Sequence, residues 1–486
     1  MAATVPAMHV TLVSSEIAPL AKTGGLGDVL GFLPTVLEQL GLRVSLIMPA
    51  YRSTLRCGFP ISDTGIRLTA PVAGQREVAK LLTTTVGNNI PLYLVAADRY
   101  FDRDYLYGTA EGDYMDNARR FTFFCRTILE LLKRDPPQIL HANDWQSALA
   151  IAFLKAQPHL YPELAAVKTV FTIHNLGYQG VFGHQDWPIL GLDERFFTLH
   201  YLEYYGQINF LKGGLAFADS ITTVSPTYAE EIKTAGQGCG LEGVLQERAA
   251  NLTGILNGVD YDTWSPEMDA CITQRYNPRD LVGKKACKAD LQRSFGLSEN
   301  PDVPVIGMVS RLTTQKGFDL LQPALTKLFS RHLQFVLLGT GDKHYQALFN
   351  TLPQRYPGQA GVQIAFDDVL AHKIIAGSDI LLMPSCYEPC GLTQMYSLKY
   401  GTIPVVRATG GLKDTVEEFD PKTGKGNGFV FNDYDMPGML AAVDRALALW
   451  RRKKDWASLV QKAMAADFSW QSSARAYVNL YQKLIP

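Results

Sequence analysis

Short apolar runs alternate with longer stretches of helical periodicity along almost the whole chain. The runs in the first half are apolar throughout, which is typical of parallel strands in a sheet that is covered on both faces. They lie at residues 9–15, 43–49, 91–96, 137–144, 168–175 and 220–225. Residues 27–41 have apolar side chains at helical spacing and a closing glycine, so they predict the first helix. The first half is therefore predicted to be α/β.

The alternation stops at a cluster of turn-forming residues, "GILNGVDYDTWSP" at 254–266, and resumes near Pro304. The second series of apolar runs lies at residues 303–310, 333–341, 362–366, 379–385 and 402–407. We therefore predict two Rossmann-like, doubly wound parallel-sheet domains, residues 1–257 and 258–466. Such sheets bind ligands where loops leave the carboxyl ends of the strands, so we expect the active site in a cleft between the domains.

Composition excludes several classes of function. The 46 Lys and Arg residues balance 47 Asp and Glu residues, so no overall field favours nucleic acid or an anionic membrane as a partner. The seven cysteines are scattered and include no C-x-x-C pair, which indicates reduced thiols. The N-terminus lacks a basic leader pattern, and no segment is apolar enough to span a bilayer. We expect a cytoplasmic protein.

The stretch "KTGGLGDVLG", which begins at Lys22, is the first candidate for chemistry. A dinucleotide-binding loop needs G-x-G-x-x-G directly after the first strand and an acid after the second. Here Gly25, Gly27 and Gly31 are spaced differently, a loop carrying Glu16 intervenes, and the second strand ends without an acid. The remaining interpretations are an anion site, with the lysine at a helix N-terminus, or a tight turn with a solvated lysine.

The second half offers two further candidates. Arg311 and Lys316 follow a buried strand, which indicates a phosphate clamp or, alternatively, a solvated basic loop. In "PSCYEPCGLTQMYSLKYG", Glu388 lies in a loop and residues Cys390 to Thr393 open a helix whose free amides suit a diphosphate. Glu388 is placed to stabilise a developing cation, or else only to cap the helix.

A metal site is not predicted. Three Asp-x-Asp matches begin at Asp102, Asp260 and Asp433, but none follows a clear strand. We interpret them as loop acids. His174 has no second histidine at ligand spacing around it, so it is not expected to bind a metal.

Seven motifs carry a resemblance to a known family. They are, in chain order, "KTGGLGDV", "HANDW", "FTIHNLGYQG", "LNGVD", "SRLTTQKG", "EPCGLTQMYSLKYG" and "TGGLKDTV". Together they resemble the signatures of bacterial glycogen synthases and plant-type starch synthases. The resemblance implies the GT-B fold. It also implies transfer of glucose from ADP-glucose to the non-reducing end of an α-1,4-glucan such as glycogen or starch. The transfer is implied to retain the anomeric configuration and to release ADP. Because Arg311 and Lys316 would supply fixed positive charge at the diphosphate, we expect no cofactor and no required metal. The resemblance also implies that a last helix, residues 467–486, returns to the first domain.

Motif by motif, the resemblance also implies roles for individual residues. Those implied to bind the donor are Lys22, Gly25, Arg311, Lys316, Phe366, Cys390, Gly391, Leu392 and Thr393. Those implied in catalysis are Glu388, His174, Arg311, Lys316 and Asp144. Those implied on the acceptor side are Glu16, Asp28 and Asp144.

Some of these roles are more specific. Arg311 and Lys316 are implied to bind the diphosphate. Glu388 is implied to be the catalytic-site glutamate, and His174 is implied to lie near the anomeric carbon. Phe366 occupies the position at which the family stacks an aromatic ring on adenine, and many bacterial members have tyrosine there. The wider superfamily often has a second glutamate eight residues after the first, where this chain has Tyr396. No role of that second acid is therefore carried over.

Other functions stay open at this level. A granule-bound starch synthase would share the chemistry, whereas a non-catalytic glucan-binding protein on the same fold would bind glucan without releasing ADP. A transferase that uses another sugar nucleotide or a smaller acceptor is the third alternative. The preference for ADP over UDP rests on the resemblance, and the sequence predicts no oligomeric state.

Overall fold

The computed structural model describes residues 7–109 and 111–485, which fold into two compact units. The N-terminal unit contains the chain up to Val224, Ala229–Gly258 and the segment from Trp470 onward. The C-terminal unit contains Ser225–Tyr228 and Val259–Ser469. Residues 1–6, which form part of the N-terminus that lacks a leader pattern, lie outside the described residues.

Most of the strands are short, and each apolar run named from the sequence overlaps one of them. Those of the first half are β1 (His9–Val13), β2 (Arg43–Pro49), β3 (Ser62–Val72), β4 (Gln75–Val86), β5 (Ile90–Ala96), β6 (Gly108–Thr109), β7 (Gly112–Asp113), β8 (Ile139–Asn143), β9 (Lys168–Ile173), β10 (Val181–Phe182), β11 (Glu203–Tyr204), β12 (Gln207–Asn209), β13 (Ser220–Thr223) and β14 (Leu252–Gly254). Those of the second half are β15 (Val305–Val309), β16 (Gln334–Leu338), β17 (Ala360–Gln363), β18 (Ile380–Met383), β19 (Ile403–Arg407) and β20 (Phe429–Phe431).

Helices connect the strands in both halves. In the first half they are α1 (Gly25–Gln39), α2 (Arg52–Leu55), α3 (Asp98–Phe101), α4 (Asn117–Leu132), α5 (Trp145–Ala156), α6 (Trp187–Leu190), α7 (Phe210–Phe217), α8 (Pro226–Glu231) and α9 (Glu242–Glu247). The remaining helices are α10 (Val282–Ser294), α11 (Phe318–Phe329), α12 (Lys343–Asn350), α13 (Leu352–Arg355), α14 (Asp368–Gly377), α15 (Thr393–Lys399), α16 (Gly410–Thr415), α17 (Met436–Arg451), α18 (Lys453–Met464) and α19 (Trp470–Leu484). Single 3-10 turns lie at Pro158–Leu160, Pro162–Leu164, His184–Asp186, Glu194–Phe196, Ala249–Asn251 and Thr314–Lys316.

The sheet of the N-terminal unit has the strand order β14-β13-β9-β8-β1-β2-β5-β4-β3. The strands from β14 to β5 are parallel, and their fully buried residues explain the apolar runs of the sequence. At the edge, β4 pairs antiparallel with both β5 and β3. The apolar runs of the sequence do not reveal this hairpin, because its strands are only half buried and alternate between buried and exposed side chains. The sheet is thus mixed rather than wholly parallel.

The sheet of the C-terminal unit has the order β17-β16-β15-β18-β19-β20, and every neighbouring pair is parallel. Renumbered from its own first strand, this is the 3-2-1-4-5-6 order of doubly wound sheets. Apolar residues of α11, α17 and α18 pack with the strands into one buried core. The α/β prediction is confirmed for both halves.

The last helix, α19, packs on α1 and on the N-terminal sheet. Tyr481 is fully buried, and its hydroxyl lies 2.7 Å from Nδ1 of His141 on β8. The other ring nitrogen of His141 lies 2.6 Å from the Thr172 hydroxyl on β9. Burial lowers the pKa of His141 to about 3, so the ring is neutral. This polar network fastens the helix to the centre of the sheet.

Within the ranges 7–109 and 111–485, no helix combines the length and apolar character needed to cross a membrane.

Candidate active site

In both units several of the candidate residues follow the two strands at which the winding of the sheet reverses. In the C-terminal sheet these strands are β15 and β18, which are neighbours. Lys316 lies after β15 and Glu388 after β18. In the N-terminal sheet the corresponding strands are β1 and β8, followed by the loop with Lys22 and by Asp144. Open α/β sheets bind ligands at such points, because the adjacent loops diverge there and leave a crevice.

Lys316 and Glu388 form an ion pair in this position. Nζ of Lys316 lies 2.6 Å from Oε2 of Glu388, and the side chains are only 17% and 6% exposed. The same carboxylate oxygen accepts a hydrogen bond of 3.1 Å from the Ser385 hydroxyl. The predicted diphosphate-binding lysine and the predicted catalytic glutamate are therefore in direct contact, which sequence reasoning did not foresee.

The backbone of Glu388 is held from behind by the segment that opens α16. The amide of Gly411 donates to the carbonyl of Glu388 over 3.1 Å. Gly410 has φ +44°, and a Cβ there would lie 1.9 Å from that same carbonyl oxygen. On the next residue, the carbonyl of Pro389 accepts a 2.6 Å hydrogen bond from the buried hydroxyl of Ser225. The "TGG" motif therefore needs glycine so that its backbone can approach the glutamate loop.

The turn from Cys390 to Thr393 leads into α15, as the sequence predicts. Cys390 is buried, and Gly391 has φ +69°, a left-handed conformation that favours glycine. Gln394 locks the turn, since its Nε2 donates to the carbonyls of Cys390 and Gly391. No side-chain oxygen from residues 7–109 or 111–485 caps the start of α15. The first amides of the helix are therefore available to an acceptor from outside the chain.

Two other donor-side candidates lie on the surface of the C-terminal unit. Arg311 is exposed directly after β15, and Phe366 is 74% exposed between β17 and α14. Both follow strands at the carboxyl edge of the sheet. A large aromatic ring left in solvent next to this edge is an available stacking surface.

Tyr396, from whose position no acid role was carried over, is a packing residue. Its ring stacks on Trp264 with a centroid distance of 4.1 Å and an interplanar angle of 3°. An aromatic stack replaces any acid-base group at this position.

In the N-terminal unit, Glu16 organises the glycine loop. Its Oε2 accepts hydrogen bonds from the amides of Thr23 (2.6 Å) and Gly24 (3.3 Å). Its Oε1 accepts from the hydroxyls of Thr23 and Tyr107, both at 2.6 Å. With both oxygens engaged, Glu16 shapes the loop that carries Lys22, a role that sequence reasoning missed. Its implied place on the acceptor side stays a prediction.

Lys22 pairs with Asp28 on the first turn of α1, with 2.8 Å between Nζ and Oδ1. Gly27 lies against this lysine, because a Cβ there would come within 3.1 Å of Cβ and Cγ of Lys22. Glycine at position 27 therefore allows α1 to lie close to the side chain of Lys22. Gly25 is the first residue of α1, so the lysine is placed at a helix N-terminus as predicted.

Asp144 and His174 meet at the ends of β8 and β9. Oδ1 of Asp144 accepts a 2.7 Å hydrogen bond from the amide of His174. Asp144 has φ +55° and ψ 178°, which is a strained conformation for a residue with a side chain. Strain of this kind typically costs about 1–3 kcal/mol and is concentrated at functional sites. Burial raises the pKa of Asp144 to about 7, and the nearby Glu16 carboxylate adds to the rise.

Asn143 determines which nitrogen of His174 carries the proton. Its Nδ2 donates to the carbonyl of Val13 over 3.1 Å, so its Oδ1 faces Nε2 of His174 at 2.9 Å. An amide oxygen only accepts, which places the proton on Nε2. Burial lowers the pKa of His174 to about 3, so the ring stays neutral. With the proton on Nε2, Nδ1 is left as a hydrogen-bond acceptor.

The raised pKa of Asp144 predicts a pH-dependent effect of Asp144→Asn on stability. Between about pH 4 and 7 the unfolded chain releases this proton while the folded chain keeps it, so the contribution of Asp144 to stability falls as pH rises. Asparagine keeps the acceptor for His174 and does not titrate. From pH 5.5 to 8.5, the variant should therefore gain about 2 kcal/mol relative to the parent protein. Urea unfolding of both proteins at the two pH values measures the difference, and a constant difference would contradict the assigned pKa.

The three Asp-x-Asp matches have local partners. Asp102 and Asp104 both pair with Arg52, at 2.7 and 2.5 Å. The carboxylate of Asp260 accepts from backbone amides of the following turn, and Asp435 caps α17. These contacts agree with the interpretation of the matches as loop acids.

The sequence of this chain matches models of known protein families and the sequences of known proteins. Residues 9–247 match a family model described as the starch synthase catalytic domain, and residues 292–462 match glycosyl transferases group 1. A glycogen synthase of Koribacter versatilis is 48% identical over 478 residues, covering 98% of both chains. A glycogen synthase of Syntrophotalea carbinolica is 47% identical over 480 residues, covering 98% of this chain and 99% of the other.

A solved structure is similar over the same length. It is the catalytic domain of starch synthase IV from Arabidopsis thaliana bound to ADP and acarbose. The TM-score is 0.89 at 33% sequence identity, with 98% of this chain and 99% of the other covered. The likeness extends across both units, including the segments that carry the Lys316–Glu388 pair and the Asp144–His174 pair.

Proposed function

This chain belongs to the family of bacterial glycogen synthases and plant starch synthases, and we propose on that premise how its residues carry out the reaction. It is a glycosyltransferase of the GT-B fold with glycogen synthase function. The donor in our proposal is ADP-glucose, and the acceptor is the non-reducing end of an α-1,4-glucan. The bound ADP of the similar starch synthase supports the choice of nucleotide.

The observation that carries the proposal is the Lys316–Glu388 pair beside the open start of α15. Breaking the bond from glucose C1 to the phosphate oxygen puts negative charge on the departing diphosphate. Lys316, Arg311 and the amides after Leu392 are the groups that we propose to bind it. They stabilise the leaving group most when its charge is greatest, in the transition state.

Glu388 is proposed to stabilise the positive charge that develops on the sugar. Its carboxylate is buried and contacts Ser385 and Lys316, and its backbone carbonyl accepts a hydrogen bond from the Gly411 amide. We propose that it faces the sugar ring, where positive charge develops as C1 leaves the phosphate. The new bond joins C1 to the acceptor O4 on the face that the phosphate leaves, which retains the configuration. The proton of the acceptor hydroxyl passes to an oxygen of the departing ADP.

The N-terminal unit supplies the remaining polar contacts in this proposal. Lys22 adds positive charge for the donor, and Nδ1 of His174 accepts a hydrogen bond from a hydroxyl of the transferred glucose. Asp144, held in strained geometry, binds the acceptor, with Asp28 and Glu16 supporting the loop beside it. Phe366 stacks on the adenine. Because fixed cations bind the diphosphate, we propose that transfer requires no metal ion.

None of the seven cysteines forms a disulfide in the described part of the chain, which supports a reducing compartment, and we propose a cytoplasmic location.

The proposal is tested by supplying purified protein with ADP-glucose or UDP-glucose, with and without glycogen. We expect release of nucleoside diphosphate and growth of the glucan with ADP-glucose, both dependent on glycogen. Equal rates with ADP-glucose and UDP-glucose would contradict the proposed preference for ADP-glucose. Release of ADP without growth of the glucan would show another acceptor.

A further inference from the structure

A second cluster of reactive side chains lies in the C-terminal unit and takes no part in the proposed reaction. Asp269 and Cys271 lie in the irregular segment between β14 and α10, and His372 lies on α14. One potential ligand atom from each residue falls within 4.8 Å of the other two. Nδ1 of His372 is 2.8 Å from Oδ2 of Asp269. A carboxylate and a thiol of one short segment thus lie close to an imidazole that is 103 positions from the carboxylate in sequence.

To hold a small cation, Nδ1 of His372 and Oδ2 of Asp269 would have to move apart, and Sγ of Cys271, which lies within 4.8 Å of both, would have to come to bonding distance. Zinc bonds of about 2.0–2.1 Å to nitrogen or oxygen and about 2.3 Å to sulfur place tetrahedral ligand atoms roughly 3.3–3.7 Å apart. The pair Nδ1–Oδ2 would have to open by about half an ångström. The cation would then take the place of the proton on Nδ1 of His372, which now joins this ring to Asp269. That same proton would move to Nε2 of the ring.

The surroundings hold two of the ligands in orientation. Trp264 stacks on the ring of His372, with 3.7 Å between centroids and 9° between planes. The nitrogen lone pair lies in the ring plane, so this stacking leaves it accessible. The hydroxyl of Tyr400 donates to Oδ2 of Asp269 over 2.6 Å, and the amide of Cys271 donates to Oδ1 over 2.7 Å. Hydrogen bonds of this kind orient and tune ligands in known metal sites.

From this geometry we propose that Asp269, Cys271 and His372 bind a thiophilic divalent cation of the zinc type. Thiolate with imidazole and carboxylate is a donor set that favours zinc over magnesium or calcium. Asp269 and His372 are buried, whereas Cys271 is partly exposed and provides a route of entry. Three protein ligands leave the fourth position to water. The cation would join the first segment of the C-terminal unit to α14, and this proposal does not depend on the proposed function.

A bound cation removes the proton from the Cys271 thiol, because a thiol coordinates a metal as the thiolate. Binding should therefore protect Cys271 from alkylation. The rival interpretation is a hydrogen-bonded Asp269–His372–Tyr400 core with a cysteine nearby, which gives no such protection.

The first test uses Co²⁺ as a probe of the chelator-treated full-length protein. We expect one equivalent to bind and to produce the near-ultraviolet sulfur-to-cobalt charge-transfer band of a thiolate complex. Zn²⁺ should abolish that band by displacement. The band should be lost in Cys271→Ser and retained in Cys57→Ser, which alters an exposed cysteine elsewhere. A band that persists in Cys271→Ser, or no band at saturating Co²⁺, would overturn the proposal.

The second test needs no variant and therefore does not depend on the folding of one. Iodoacetamide labelling of the native protein, read by mass spectrometry, compares Cys271 with the exposed Cys57 and Cys239 in the same chain. Saturating Zn²⁺ should slow labelling of Cys271 about tenfold or more, because a coordinated thiolate is withdrawn from the solution. The other two rates should not change. Equal rates at Cys271 with and without Zn²⁺ would refute the site.

Discussion

Glu388→Gln is expected to lower kcat about a hundredfold to a thousandfold, the usual effect of removing one group that stabilises transition-state charge. Glutamine keeps the size of the side chain and an oxygen for the Ser385 hydroxyl, so the loop should keep its shape. The lost charge also frees Lys316 from its ion pair. The affinity for ADP should therefore not weaken.

Initial rates of ADP release at saturating ADP-glucose and glycogen measure kcat, and calorimetric titration measures ADP binding. Glu417→Gln is the matched control, since Glu417 is an exposed acid of the same unit and should leave both quantities unchanged. Full activity of Glu388→Gln would exclude Glu388 from the chemistry.

Lys316→Gln is expected to weaken ADP and ADP-glucose binding together, and to lower kcat/KM about a hundredfold to a thousandfold. A second effect follows from the ion pair. Without Lys316, the buried Glu388 carboxylate is left without its partner, and removing one member of a buried pair typically destabilises a protein by about 3–5 kcal/mol. Both the free energy of unfolding and the affinity should fall.

The double variant Lys316→Gln/Glu388→Gln separates the two effects. It removes the isolated charge, so we expect the free energy of unfolding to recover while ADP binding stays weak. Lys327→Gln, an exposed lysine on α11, controls for the general loss of positive charge. If ADP binds Lys316→Gln as tightly as the parent protein, Lys316 does not hold the diphosphate.

Much of the fold followed from the apolar runs, because buried parallel strands have a simple pattern. All of the runs named from the sequence contain strands of the two main sheets, and the segment predicted as the first helix lies within α1 apart from its two closing residues. The hairpin of β3 and β4 was missed because its exposed face breaks those runs with polar residues. The 2.8 Å pairing of Lys22 with Asp28 was also not predicted, because local spacing does not say which way a flexible lysine points.

Contacts between distant residues were the least predictable part of the site. Lys316 and Glu388 were each identified from a motif, but their ion pair spans 72 positions. Tyr107 reaches Glu16 from 91 positions away, which hid the role of Glu16 in shaping the loop. Asp269 and His372 are 103 positions apart, so a search for metal ligands at local spacing did not find them. Periodicity and motif order place residues on strand ends, but only packing of the chain shows which side chains touch.

A crystal structure of the protein with ADP tests the central claim most directly. We predict the β-phosphate within about 3 Å of Nζ of Lys316, with its oxygens on the first amides of α15 and the Glu388 carboxylate beside the space left for glucose. A diphosphate bound elsewhere, with Lys316 still paired only to Glu388, would contradict the account.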